Sequence, residues 1–216
     1  MFYTTDTNAH GLRYDPLKAL VAPRPIGWIT SISARGEVNL APYSYFNAVS
    51  TRPPIVCFSS EGRKDSVALV EETGEFVCNL ATWDLREAMN VTAAPFQRGV
   101  DEMREAGLTA APSRLVKPPR VAEAPWALEC KWLHTLTLRD LEGRALDRHV
   151  AFGQVVAVHI DDRFIANGRV DTAAMKPIAR CGYDQYAVVA EVFSMTRPEV
   201  AEVAPPRVAA GGRRSG

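Results

Sequence analysis

Pro25-Ile26-Gly27-Trp28-Ile29-Thr30-Ser31-Ile32-Ser33, then Ala34-Arg35-Gly36-Glu37, then Val38-Asn39-Leu40-Ala41-Pro42-Tyr43-Ser44-Tyr45-Phe46 reads as strand, turn, strand. The first run is rich in β-formers, and Gly36 supplies the backbone conformation that a tight hairpin needs. Downstream, Pro53-Pro54 opens Ile55 to Ser60, a buried strand by its β-branched and aromatic content. Glu61 to Lys64 is a polar loop. A helix follows, with Asp65 as N-cap, Val67 to Val70 as apolar body and Gly74 as stop.

Beyond it, Glu75 to Ala81 reads as a strand, Asp84 to Thr92 as a helix, and Val100 to Ala106 as a short helix ended by Gly107. Pro118 to Pro125 is an irregular connector. Further strands are expected at Trp126 to Leu138, Val150 to Ile160 and Tyr186 to Met195, with an Asn167-Gly168 turn between Ile165 and Asp171. About seven strands with two or three inserted helices, and no βαβ alternation, imply a mainly β chain folded as a closed or partly closed antiparallel barrel. No Gly-x-Gly-x-x-Gly follows a strand, which disfavours a dinucleotide-binding parallel sheet.

Bulk properties bound the function. The 216 residues carry 25 Lys+Arg against 25 Asp+Glu, and this balance argues against nucleic acid as partner. It leaves room for one small anion at one local site. No run approaches the ~20 apolar residues of a membrane span, and the polar start from Met1 to His10 is not a secretory signal. The four cysteines and four histidines are scattered without metal-ligand spacing. A cytoplasmic protein with reduced, mostly buried cysteines and no bound metal is the expectation. From about Glu199 the chain turns to Pro, Ala, Gly and Arg, which suggests a loose tail.

Two constellations carry chemistry. Ser59-Ser60-Glu61-Gly62-Arg63-Lys64-Asp65-Ser66 places hydroxyls and two cations between a buried strand and a helix start. The open N–H groups and partial positive charge of a helix start suit an anion, and Arg63 and Lys64 add full charges. An exposed basic turn before a capped helix is the alternative. Asn39 to Asn47, beside Trp28 to Ser31, mixes aromatics with hydroxyls and amides, as a flat heteroaromatic ligand requires. The alternative there is two ordinary strands filling a barrel core.

A run of ordered motifs resembles the flavin reductase-like family of FMN-binding split barrels, in the branch of flavoredoxin and the reductase component of nitrilotriacetate monooxygenase. They are Pro23 to Ser31, Asn39 to Phe46, Pro53 to Val56, Arg63 to Ser66, Thr73 to Leu80, Glu105 to Thr109, Leu128 to Cys130, Gly153 to Ile160 and Lys176 to Tyr183. The resemblance spans about Pro23 to Pro198. It implies a single domain over residues 1–198, a tail over 199–216, and an antiparallel FMN-binding split β-barrel with a few inserted helices.

It also implies non-covalent FMN in a homodimer. The isoalloxazine ring would lie by Ser44, Tyr45, Phe46 and Asn47, flanked by Thr30 and Ser31. The phosphate would meet Ser59, Ser60, Arg63, Lys64 and the helix start at Asp65 and Ser66. Asp65 would serve as cap, its backbone N–H being the useful part. Either Arg180 or Tyr183 reaches the flavin or substrate pocket, or Arg180 pairs with a carboxylate at the dimer interface. His159 and Trp28 are expected to be structural. No catalytic side chain is required, because the flavin carries the redox chemistry. The expected reaction is hydride transfer from NAD(P)H to flavin, serving a partner oxygenase or redox protein. The alternatives are an FMN-bearing electron carrier without efficient nicotinamide turnover, and a non-catalytic binding protein that lost its flavin.

Overall fold

The computed structural model describes residues 1–199, and the expected tail lies outside the described residues from residue 200 onward. Gly27–Ile32 (β1) and Val38–Tyr43 (β2) form the expected hairpin, with Gly27 opposite Tyr43 and Ile32 opposite Val38. Its turn is closed by the Gly36 N–H donating to Ser33 O at 3.0 Å. The expected strand Val38 to Phe46 is divided, however. β2 stops at Tyr43, and a new strand, Phe46–Thr51 (β3), begins after a two-residue corner at Ser44-Tyr45. Pro54–Glu61 (β4), Glu75–Leu80 (β5), Trp126–Arg139 (β6) and Ala145–Ile160 (β7) complete the large sheet.

The strand order is β2-β1-β5-β6-β7-β4-β3, antiparallel at every pairing. The two edge strands are therefore consecutive in the chain. At the corner the polypeptide leaves one edge and joins the other, closing the sheet on itself. Phe46 takes its place opposite Phe58, and the Ser59 N–H donates to Tyr45 O at 2.8 Å.

The interior is filled by Ile29, Tyr43, Phe58, Phe76, Cys78 and Cys130, among others, and Val67 and Val70 of Asp65–Thr73 (α1) plug one mouth. Tyr43, Phe58 and Phe76 stack across the barrel with ring centroids 4.9 and 5.6 Å apart. A second apolar layer lies outside β1 and β2, where Trp28 and Leu40 meet Met89 of Arg86–Val91 (α2) and Met103 of Glu102–Glu105 (α3). Burial on both faces explains why β1 and β5 read as continuous rather than alternating runs. Trp28 is structural, as expected: it is fully buried and its Nε1 donates to Thr92 Oγ1 at 2.9 Å. Cys78 and Cys130 are buried, whereas Cys57 and Cys181 are only half-buried, and all four are free.

Several boundaries differ from expectation. Lys64, not Asp65, is the N-cap of α1, in extended conformation and with no side-chain cap; Asp65 is the first helical residue. The helix ends as expected at Gly74, whose φ of +71° is left-handed. α2 covers Arg86–Val91 rather than Asp84 to Thr92. β7 begins at Ala145, because β6 offers partners out to Arg139 in a hairpin extending past the apolar core. The connector around Pro118 to Pro125 includes a short pairing of Arg120–Val121 with Ala110–Ala111. The last strand covers only Tyr186–Val188, since its partner Ile178–Arg180 is three residues long. Ile178–Arg180 in turn pairs with Arg24–Pro25.

The segment preceding β6 is fastened to the outer face by Glu129. This fully buried carboxylate accepts from the N–H groups of Arg114 at 2.7 Å and Leu115 at 2.6 Å, and its Oε1 lies 2.5 Å from His159 Nε2. Burial alone raises the Glu129 pKa, but these hydrogen bonds outweigh it and hold the carboxyl below its ordinary value. His159 is thus anchored in its strand through Nε2.

Two stability predictions follow from these contacts. A Cβ on Gly27 would stand 2.5 Å from the Phe46 ring, so Gly27→Ala should lower unfolding free energy by ~1–3 kcal/mol. Combining it with Phe46→Ala should cost less than the sum of the two single changes, as read from denaturant midpoints. For Glu129, stability is full above the ordinary glutamate value of about 4.3 and is lost as pH falls through the lower folded value. Glu129→Gln should cost ~1–3 kcal/mol at neutral pH and should abolish that part of the acid sensitivity.

Candidate functional site

One cleft forms where α1 begins. β2 supplies Asn39 and Tyr43, the helix start supplies Arg63 to Ser66, the loop after α2 supplies Thr92 to Phe96, and α3 supplies Glu102. Its volume is about 400 Å³, within the ~300–1,000 Å³ usual for small-molecule sites.

The start of α1 is held by a buried polar cluster. Asn39 Nδ2 donates to Ser66 Oγ at 2.9 Å, and the Ser60 hydroxyl donates to Gly62 O at 2.8 Å. Burial pushes the Tyr43 phenol up, although the hydroxyls of Ser66 and Ser60 beside it pull the other way. Ser60 and Ser66 thereby set the shape of the loop as well as its chemistry. Burial likewise holds Glu102 above the usual carboxylate range, opposed by the Leu40 N–H, which donates to it at 3.0 Å.

The two cations of the loop are not equivalent. Arg63 pairs with Glu71 on α1. Lys64 forms no ion pair among the described residues and stands at the N-cap. The first N–H groups of α1 carry no side-chain cap, so a helix start and one free ammonium converge on the same cleft. These donors fit a phosphate group. Asp65 remains compatible with that arrangement as a first-turn carboxylate favoured by the helix dipole.

Of the expected site residues, Arg63, Lys64, Asp65 and Ser66 line the cleft together. Ser44, Tyr45, Phe46 and Asn47 form the adjoining corner, next in sequence to the cleft residue Tyr43, with Ser59 hydrogen-bonded to it. Asn47 is exposed, its Oδ1 accepting the Ala48 N–H at 2.8 Å. Thr30 and Ser31 are fully buried and do not line the cleft. Thr30 Oγ1 accepts from Asn79 Nδ2 at 2.9 Å, whereas the Ser31 hydroxyl has no partner among the described residues. Arg180 also lies outside the cleft lining: it donates to Tyr183 O at 2.5 Å and stacks over Tyr186 with 4.5 Å to the ring centroid. The Thr92 to Phe96 wall and Glu102 escaped sequence reading. They reach the cleft only through the packing of α2 and α3, and no local motif marks them.

The flavin reductase like domain matches residues 20–173. An uncharacterized protein of Aquifex aeolicus is 36% identical over 191 residues, covering 86% of this chain and 93% of that one. The crystal structure of nitrilotriacetate monooxygenase component B from Bacillus cereus superposes with a TM-score of 0.82 at 30% identity, covering 90% of this chain and 98% of that one. The 2-nitrobenzoate 2-nitroreductase of Pseudomonas fluorescens gives 0.81 at 26% identity, covering 95% and 100%. With the barrel topology and the anion-fitting helix start, these matches lead to one conclusion: the chain belongs to the flavin reductase-like family of split barrels.

Proposed function

We propose that this protein is an FMN-binding oxidoreductase of the flavin reductase type, using NAD(P)H as electron donor. The observation that carries the reading is Lys64, without an ion-pair partner among the described residues, at the start of α1 in a cleft of small-molecule size. In this reading Lys64 and the N–H groups of Asp65 and Ser66 take the FMN phosphate, with Arg63 as a second cation shared with Glu71. Ser59 and Ser60 shape the strand end beneath it. The corner Ser44 to Asn47 receives the ring edge, where backbone groups are within reach of a planar heterocycle. Thr30 and Ser31, being buried, support the strand behind that corner, and Arg180 stands outside the cleft on the three-stranded sheet.

FMN supplies the hydride-accepting chemistry. The chain's own residues bind and orient it, and alignment of two reactants is worth ~7–11 kcal/mol in the most favourable cases. Tyr45 and Val49, exposed along the corner, support a homodimer in which a second copy covers this edge. The likeness to a monooxygenase component supports delivery of electrons to a partner oxygenase.

Anaerobic mixing of the FMN-loaded protein with NADH, and separately NADPH, should bleach the flavin band. FMN retained without bleaching by either nucleotide would overturn the reductase reading in favour of an electron carrier. At the phosphate, Lys64→Ala should weaken FMN binding ~10-fold or more, as charge-assisted hydrogen bonds contribute roughly 1.5–3 kcal/mol. Arg63→Ala should have a smaller effect, because Glu71 already holds that guanidinium. Equilibrium titration of each variant by flavin fluorescence measures the difference.

A further inference from the structure

A second cleft, of about 510 Å³, opens on the outer face of the barrel and is lined by Arg114, Arg120, Trp126, His159 and Asp161, among others. It is separate from the helix-start cleft. Pro42, Trp28, Asn79, Ala127 and His159 stand in one transverse row across five strands. Four inter-strand steps of ~4.8 Å put Pro42 and His159 roughly 19 Å apart along the sheet.

The charges at this cleft are arranged in one sense. Neither Arg114 nor Arg120 forms an ion pair among the described residues. Glu129 takes the Arg114 backbone N–H rather than its guanidinium, and only Nε of Arg120 is engaged, by Pro112 O at 3.3 Å. Asp161, the one carboxylate of the lining, is already held by Arg163 at 2.5 Å and by the Arg163 N–H at 3.0 Å. Glu129 lies fully buried and does not line the cleft, and it fixes His159 by its Nε2. Nδ1 of His159 makes no hydrogen bond among the described residues. A carboxylate that orients an imidazole from behind is a common way to hold one ring nitrogen ready for a ligand. Trp126, half-buried, packs toward the barrel interior rather than over these groups.

We propose that this cleft is a second ligand site, for a phosphate monoester, with Arg114, Arg120 and His159 on the phosphate. Guanidinium forks match phosphate oxygens in geometry, and two of them without carboxylates of their own match the charge of one dianion. The site does not depend on the flavin reading, because none of these residues lines the other cleft.

The test is calorimetric titration of the full chain, carrying one equivalent of FMN with none in excess, using AMP, adenosine and inorganic phosphate. AMP should bind at least ~10-fold more tightly than adenosine, inorganic phosphate should compete with it, and the Arg114→Ala, Arg120→Ala double variant should lose AMP affinity by ~10-fold or more. That variant should keep its FMN affinity, which also reports that it is folded. The proposal is overturned if AMP binds no better than adenosine, or if the double variant binds AMP as the unsubstituted chain does.

Discussion

The corner at Ser44-Tyr45 is the constraint on which the rest of the structure depends. There the chain ends its pairing with β1 and begins its pairing with β4, so one two-residue bend joins both edges of a seven-stranded sheet. The bend succeeds because Gly27 has no side chain. The Phe46 ring occupies the space that a Cβ would need, and this seats β3 against the barrel. Closure then encloses Tyr43, Phe58 and Phe76, whose rings pack in sequence across the interior. Gly153 does the same service on the far wall, where a Cβ would stand 2.3 Å from Phe76.

Once the barrel is closed, the helix start has only one place to go. Val67 and Val70 are drawn into the mouth by burial, and this presents the N-terminus of α1 outward beside β2. The buried cluster of Asn39, Ser66, Tyr43 and Ser60 satisfies polar groups that would otherwise be costly in that position. The same economy recurs at Glu129, where a fully buried carboxylate is tolerated because two backbone N–H groups and His159 surround it. In both places polar residues organise a loop and leave cations without ion pairs among the described residues: Lys64 in one case, Arg114 and Arg120 in the other.

Much of the candidate site was legible in the chain. The basic loop, the helix after it and the strand before it are adjacent in sequence, so local patterns sufficed to bring Arg63, Lys64, Asp65 and Ser66 together. The difference between Arg63 and Lys64 was not legible, since it depends on Glu71 reaching back along the helix. Nor was the burial of Thr30, which sits on the outer face of β1 under Asn79. A strand pattern assigns residues to alternate faces, but not which face a later segment will cover. The second cleft was equally hidden: its arginines come from an irregular connector and its histidine from a strand about forty residues later.

The sequence by itself determined the strands, the one strong helix, the antiparallel class and the position of the basic loop, because each rests on neighbours within a few residues. Tertiary structure alone decided where β2 breaks, where the last strand ends, and which cations remain free. Those outcomes depend on partners distant in the chain. A strand continues only while another strand pairs with it, and a charge stays available only if no folded neighbour neutralises it.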